Sequence, residues 1–308
     1  MKRFLFGHAP AILLLAALGM GMLAARAEDR PQFTVCAYNL RNYLEMERSV
    51  HGKREPNQPK PIKQIEAIVR FLTDIHPDVL GVSEIGSTAD LSDLQVRLKA
   101  AGVDLPNTEW TQGSDPDRHL ALLTRYPIVL RNSQTELKYQ MGDDVLQMKR
   151  GLLDVTLQPK PGFFVRCIGA HLKSKIPDAD HAEDIMRRNE AHLLRLYVDK
   201  ILTNAPDAQI LVYGDFNDTK DSAPLREIGG DRNSSTALHY LNLTDSRQER
   251  WTHYWAQEDL YSRIDYMFTS HMLSPYINRS ESRIYDPINY LEGSDHRPLV
   301  VKIYLSRK

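Results

Sequence analysis

The sequence predicts an α/β protein in which paired β-sheets carry helices on their outer faces. Three observations lead there. Apolar runs of strand length, such as Ile210-Leu211-Val212-Tyr213, show no polar alternation, as strands covered on both faces do. Two helical segments, near 61–76 and 180–202, separate strand-like runs in the first half. Strands then dominate the second half, an order that suits packed sheets better than a helical bundle.

The N-terminus is set apart from this pattern. Lys2 and Arg3 precede the apolar run Ala11–Leu18, and Ala25-Arg26-Ala27 has the small-x-small form of a cleavage site. The run is short for a membrane span and no cysteine follows it, so residues 1–27 read as a secretory signal and 28–308 as one exported domain, periplasmic or extracellular. Removing that segment deletes Lys2, Arg3 and Arg26 and no acid, moving the formal charge from −1 to −4. A weak acidic excess argues against a strongly cationic nucleic-acid clamp and leaves room for a local basic groove. Cys36 and Cys167 lie inside apolar strand-like runs. Export would permit a disulfide, but both occupy core strand positions, and buried free thiols are expected.

The first strand, Phe33–Leu40, carries Asn39 near its end. A polar loop follows to Pro61, where a helix begins, with Ile62, Ile65, Ile68, Val69, Leu72 and Ile75 spaced by three and four on one stripe until Pro77. Asp78–Ile85 is the second strand and carries Glu84. Its Gly81-Val82-Ser83-Glu84-Ile85 has the outline of a nucleophile elbow, but Ile85 stands where a closing glycine is required, which removes a serine hydrolase. A short helix over Leu91–Ala101 ends at Gly102. Arg118–Thr124 is a strand, and 144–157 reads as its hairpin partner, with Arg150 before an apolar run. Phe163–Leu172 ends on His171 and is followed by Lys173 and Lys175; a long helix then covers about 180–202, with Ile185, Leu193, Leu194, Leu196, Val198 and Ile201 as its apolar residues.

The central strand runs from Ile210 into Gly214-Asp215-Phe216-Asn217. Asp215 and Asn217, two apart, share a face in extended chain, where a carboxylate and a carboxamide suit a phosphate or metal site; an Asx turn is the plainer use of the same residues. Residues 218–260 are polar and irregular, with Trp251, Tyr254 and Trp255 either packing a loop or stacking a base. Arg263–Phe268 carries Asp265, and Ser294-Asp295-His296-Arg297-Pro298 leads into the last strand, Leu299–Tyr304.

Polar residues thus gather at strand ends: Asn39, Glu84, His171, Asp215, Asn217, Asp265, Asp295 and His296. Oxygen ligands favour a hard ion, with Glu84 as the leading ligand and Asn39 and Asp295 near it. An aspartate behind an imidazole makes a general base, and Asp265 with His296 meets that need. Zinc schemes lack a Cys pair and His-Glu-x-x-His, the calcium loop starting at Asp215 has Lys220 for its glycine and Arg226 for its closing glutamate, and no Gly-rich phosphate loop occurs.

In this order the motifs Tyr38-Asn39, Ser83-Glu84, Gly169-Ala170-His171-Leu172, Gly214-Asp215-Phe216-Asn217, Arg263-Ile264-Asp265-Tyr266 and Ser294-Asp295-His296-Arg297-Pro298 resemble the endonuclease/exonuclease/phosphatase superfamily, from about Phe33 to Tyr304. The resemblance implies a four-layer α/β/β/α sandwich of two packed mixed sheets flanked by helices. It implies Mg2+ or Mn2+ on Glu84 with Asn39 and Asp295 nearby, and His296, polarised by Asp265, as activator of the attacking water. Asp215 and Asn217 would orient water and phosphate, and His171 would contact a phosphate oxygen or protonate the leaving group. His171 places the chain on the deoxyribonuclease and sphingomyelinase side of the superfamily, and Ser83 departs from the glutamine many members have before the glutamate. Arg118, Arg150, Lys173 and Lys175 are candidate phosphate contacts. The expected activity is an exported metal-dependent phosphodiesterase, a nuclease first, with a phosphatase or sphingomyelinase-like hydrolase as the alternative. The substrate expected is a nucleic acid, with no stable protein partner and a monomeric chain; the intact set of eight residues argues against an inactive scaffold.

Overall fold

A computed structural model describes residues 30–307; the proposed signal segment, residues 1–27, lies outside them. Two six-stranded mixed sheets form the body. The first contains β1 (Gln32–Tyr43), β2 (Val79–Ile85), β3 (Asn107–Thr111) and β4 (His119–Thr124). The second contains β5 (Ile128–Arg131), β6 (Leu152–Lys160), β7 (Phe163–His171), β8 (Ile210–Asp215), β9 (Leu238–Tyr240) and β10 (Asp265–Ser270). The chain then returns to the first sheet with β11 (Ile277–Ile284) and β12 (Leu299–Tyr304). The strand orders are β11-β12-β1-β2-β4-β3 and β9-β10-β8-β7-β6-β5.

Each sheet is built alike. Its two central strands are parallel, β1 with β2 and β7 with β8, and every other pairing is antiparallel. A parallel pair needs a crossover, and helix α1 (Ile62–Ile75) supplies one, α3 (Glu183–Asn204) the other. Helix α2 (Thr88–Ala100) starts at a capping box between Ser87 and Asp90, and α4 (Ala223–Gly229) follows β8.

Side-chain alternation assigns the layers. Phe33, Val35 and Ala37 face a central core with Leu120, Leu122, Leu153, Val155, Val165, Leu211, Val301 and Ile303 from both sheets. The intervening Cys36, Tyr38 and Leu40 face α1 and α2, while Ile168, Ala170, Ile210 and Val212 face α3 and α4. This is the α/β/β/α sandwich. Cys36 and Cys167 are free, buried and in different cores, so they do not pair. Among the described residues no helix is long and apolar enough to cross a membrane.

Two expectations need correction. Residues 144–157 are not a hairpin partner of β4: Asp144–Gln147 pairs with Lys138–Met141, whereas β6 joins β7 and β5 in the other sheet. The stripe of α3 is also rotated, since Ile185 and Leu196 are exposed while Arg187, Glu190 and Arg195 are buried. Glu190 is drawn in because its carboxylate accepts from the backbone N–H of Lys149 (2.8 Å) and Lys173 (2.6 Å), tying two loops to the helix.

The ring of Tyr213 lies against a glycine of each sheet. A Cβ on Gly81 would sit 2.2 Å from its ring, and one on Gly169 would sit 2.9 Å from its hydroxyl. Gly81→Ala is therefore expected to destabilise the fold by about 1–3 kcal/mol, the usual penalty of overpacking. In a Tyr213→Leu background the penalty should shrink, because the colliding ring is gone. Denaturant melts of the four proteins check this; additive effects would show that the sheets are not in contact there.

Candidate active site

The two parallel pairs point their carboxyl ends to the same edge of the sandwich, the position at which α/β sheets place their ligands. Asn39 and Glu84 come from β1 and β2, and His171 and Asp215 from β7 and β8. Antiparallel neighbours start where these strands end. Asp265, the first residue of β10, pairs in register with Asp215, and His296 precedes β12.

Glu84 is turned into the site by a bulge. The register of β2 slips against β4 between Ser83 and Ile85, and Glu84 has φ 59°, a left-handed conformation rarely taken by a non-glycine strand residue. Its side chain holds that conformation, with Oε2 accepting from Asn42 N (2.9 Å) and Oε1 from Asn39 Nδ2 (3.3 Å). Arg41 (φ 48°), Asn42 (φ 57°) and Asn217 (φ 53°) are left-handed as well, so backbone strain collects around this edge.

From Glu84 the polar chain is continuous. Asn39 Nδ2 also donates to Asp215 Oδ2 at 3.0 Å. That oxygen lies 3.7 Å from His296 Nε2, and His296 Nδ1 meets Asp265 Oδ2 at 2.9 Å. A carboxylate only accepts, so the proton of that last bond sits on Nδ1 and Nε2 faces the site. Asp265 is held in turn through its backbone N–H, which Thr252 Oγ1 accepts at 3.1 Å. Ser294 Oγ donates to Asn39 O (2.8 Å) and accepts from His296 N (3.1 Å), locking the loop that carries Asp295 and His296 onto β1. Asn217 N donates to Asp215 Oδ1 (2.9 Å), and Asn217 Nδ2 to Leu172 O (2.9 Å). Asp295 faces the same space, its Oδ1 3.9 Å from His296 Nε2 and its Oδ2 3.2 Å from Arg41 Nε.

The predicted phosphate contacts divide. Arg150 is buried and pairs with Asp115 at 3.0 Å through one nitrogen, while its Nε and Nη1 are buried without a partner. Arg118 is held by Asn42 Oδ1 at 2.7 Å. Lys173 is buried with its ammonium spent on the carbonyls of Ser174 (3.2 Å) and Ile176 (2.6 Å), and exposed Lys175 lies 3.8 Å from Asp218. Two residues beside the site escaped the sequence reading, Arg41 and His253. Arg41 follows Asn39 by two positions, in a loop whose polarity hides it; His253 lies in the polar stretch that reads as irregular. The aromatic cluster mainly packs: Trp251 stacks under the Arg297 guanidinium at 3.3 Å and contacts Tyr261 and Tyr290. Trp255 remains 46% exposed.

Burial and like charge shape the protonation states. Burial pushes Asp215 up to about 7, aided by Asp265 and opposed by His296. Burial alone would lower His296, but Asp265 and Asp215 outweigh it and raise the imidazole to about 10. His171 is pushed well below its ordinary value by burial and by Arg150, His296 and Arg118, so its ring is neutral near pH 7. His253 falls to about 4 through burial and the neighbouring His296. Asn39 bridges the carboxylates of Glu84 and Asp215, its own Oδ1 accepting from Arg41 N at 2.9 Å, and the Asp295 carboxylate lies beside His296, so oxygen donors predominate at this edge. That chemistry fits a hard divalent ion.

A pH dependence follows for the metal-free protein. His296 titrates higher folded than unfolded, so its contribution is complete below about pH 6.5 and is lost as pH rises toward about 10. Lys60, lowered to about 7 by burial and by Arg48 and Arg41, has the opposite slope over that window. Comparison with His296→Gln cancels it. In excess chelator, the Tm advantage of the wild type over His296→Gln should shrink from pH 7 to pH 10; a constant difference would contradict the Asp265–His296–Asp215 coupling.

Comparison with known proteins agrees with this fold. The family model described as "Endonuclease/Exonuclease/phosphatase family" matches residues 37–296. The human Nocturnin catalytic domain with bound sulfate aligns with a TM-score of 0.62 at 18% identity, covering 91% of this chain and 96% of that one. Truncated TDP2 from Caenorhabditis elegans gives 0.60 at 15% identity, covering 89% and 98%. Beta toxin from Staphylococcus aureus gives 0.56 at 14%, covering 87% and 99%. No curated protein sequence matches. The chain belongs to the endonuclease/exonuclease/phosphatase family, whose members are phosphoester hydrolases, typically metal-dependent.

Proposed function

We propose that this protein is an exported, Mg2+- or Mn2+-dependent phosphodiesterase that cleaves nucleic acid and works as a monomer. The observation that carries the reading is the unbroken polar chain Glu84–Asn39–Asp215–His296–Asp265, drawn from both sheets onto one edge. The metal, held by Glu84 with Asp295 nearby, would supply charge stabilisation for the phosphoryl oxygens. The remaining work falls to the chain. The negative charge that raises His296 in the metal-free protein would be offset by a divalent cation beside these carboxylates. With Nε2 deprotonated, His296 takes the proton of the attacking water, and Asp265 keeps the ring in the required tautomer and stabilises the imidazolium that forms. Asp215 and Asn217 orient the water. Neutral His171, with no hydrogen-bond partner on its buried Nδ1, turns Nε2 into the site, 3.6 Å from Asp215 Oδ2 and 3.9 Å from Glu84 Oε1. The N–H of a neutral ring there can donate a hydrogen bond to a phosphate oxygen or to the leaving oxygen as its charge develops.

Arg41, Arg118 and the partly unpartnered Arg150 favour a polyanion, since guanidinium groups bind phosphate in a forked geometry. A second reading, hydrolysis of a lipid phosphoester, has its own support. Trp255, Leu260 and Tyr261 of the hairpin next to His296, and Ile288 and Leu291 before Asp295, are exposed apolar side chains.

A metal-supplemented panel of plasmid DNA, RNA, bis-nitrophenyl phosphate, nitrophenyl phosphate and sphingomyelin vesicles separates the readings. Plasmid cleavage is expected, weakening steeply with added salt, whereas bis-nitrophenyl phosphate hydrolysis should change little. Turnover confined to sphingomyelin would favour the second reading. Glu84→Ala and His296→Ala should each lower kcat/KM by roughly 10²–10⁴ while leaving the fold intact by circular dichroism; wild-type turnover in either variant, or in excess chelator, would overturn the mechanism. Export is tested by intact mass of the secreted protein, which should lack residues 1–27.

A further inference from the structure

His253 has no place in the reaction proposed above, yet it is fastened to the catalytic loop. It forms an isolated antiparallel bridge with His296, flanked by Tyr254 N donating to Asp295 O (3.0 Å) and Arg297 N to Thr252 O (2.7 Å). The two imidazole rings lie 4.6 Å apart, centroid to centroid. His253 Nε2 is 4.0 Å from Asp295 Oδ2, and His296 Nε2 is 3.9 Å from Asp295 Oδ1. The donor atoms offered by the three side chains all lie within 4.8 Å of one another.

The donor set differs in kind from that around Glu84. Two imidazoles and one carboxylate suit zinc, nickel or copper, where three carboxylates suit magnesium. With bonds of about 2.0–2.1 Å, ligands of a tetrahedral zinc stand roughly 3.4 Å apart, so shifts of about an ångström would bring these donors into range. The opposite ring nitrogens carry the orienting contacts typical of metal-bound histidines. His296 Nδ1 is held by Asp265 Oδ2 at 2.9 Å, and His253 Nδ1 lies 3.4 Å from Ser262 Oγ. Arg41 occupies Asp295 Oδ2 at 3.2 Å, but its side chain is 47% exposed, so water can replace that contact when a cation takes the carboxylate. The side chains of His253 and Asp295, 19% and 24% exposed, leave solvent access for a fourth ligand.

We propose that His253, Asp295 and His296 form a second cation site, selective for ions of the zinc class, whose occupation takes His296 Nε2 and switches hydrolysis off. Binding at this site is independent of the reaction; the inhibition rests on the reading of His296 as the base, and the two are measured separately.

Binding is read on metal-free protein by competition against a chromogenic zinc chelator and by the visible absorption of Co2+ as a tetrahedral reporter. Wild type and Glu84→Gln should bind one zinc with similar affinity. His253→Asn, which keeps the backbone bridge, and Asp295→Asn should each weaken it at least about tenfold. Inhibition is read on Mg2+-supported hydrolysis of bis-nitrophenyl phosphate, where His253→Asn should require at least about tenfold more zinc than the wild type. Equal zinc binding by wild type and His253→Asn, or binding lost in Glu84→Gln, would overturn the site. Binding that depends on His253 without inhibition would retain the site and overturn its effect on the reaction. If the wild type hydrolyses none of the substrates, the proposed function fails while the chelator titration still decides the site.

Discussion

A single carboxamide joins the two halves of the active edge. Asn39, where the pairing of β1 with β2 goes out of register, donates from Nδ2 to Glu84 Oε1 on its own sheet and to Asp215 Oδ2 on the other. Both carboxylates lose water as the sheets pack, and an unpaired buried carboxylate is costly. A donor that satisfies both at once fixes how the sheets meet at this edge, and with it the distance from Glu84 to the Asp265–His296 pair. Below it, the Tyr213 ring lies against Gly81 and Gly169 from the two sheets, so close packing and polar bridging set the same register.

Much of the surrounding structure serves to hold this edge against its own charge. Three aspartates and a glutamate face one another across a few ångströms, and the protein answers with an imidazole raised by two of them, arginines at the rim and a bulged, left-handed Glu84. Such an arrangement is unfavourable by itself and persists because sheet and loop contacts over-determine it. Arg297 illustrates this: buried next to His296, it pairs with Asp245 at 2.8 Å, lies against the ring of Trp251 and donates to its carbonyl. Its work is to anchor the loop that carries Asp295 and His296.

The strands that could be read from sequence and those that could not fall into a physical pattern. β1, β2, β4, β6, β7, β8, β10 and β12, all visible as apolar runs, are the inner four strands of each sheet. The four strands of the two main sheets that escaped, β3, β5, β9 and β11, are the sheet edges. Inner strands are covered on both faces and must be apolar throughout, whereas an edge strand such as Ile277-Asn278-Arg279-Ser280-Glu281-Ser282-Arg283-Ile284 has one flank in solvent and is selected for polarity there. Helix α4 escaped because seven residues carry too short a stripe to stand out from polar surroundings. The rotated face of α3 escaped because Glu190 is buried for its hydrogen bonds, a reason hydropathy does not register.

The same division runs through the site. Residue type and position at strand ends nominated Asn39, Glu84, His171, Asp215, Asn217, Asp265, Asp295 and His296, and the order of the motifs around them set a shared site above the turn and structural uses open to each alone. What those residues do to one another came only from the packed molecule: Asn39 as a bridge, Lys173 consumed by two carbonyls, Arg41 at Asp295 and His253 beside His296. Strand identity is written locally, in which faces of a segment are covered. Contact between segments some two hundred positions apart depends on sheet order and register, which follow from the packing of the whole chain.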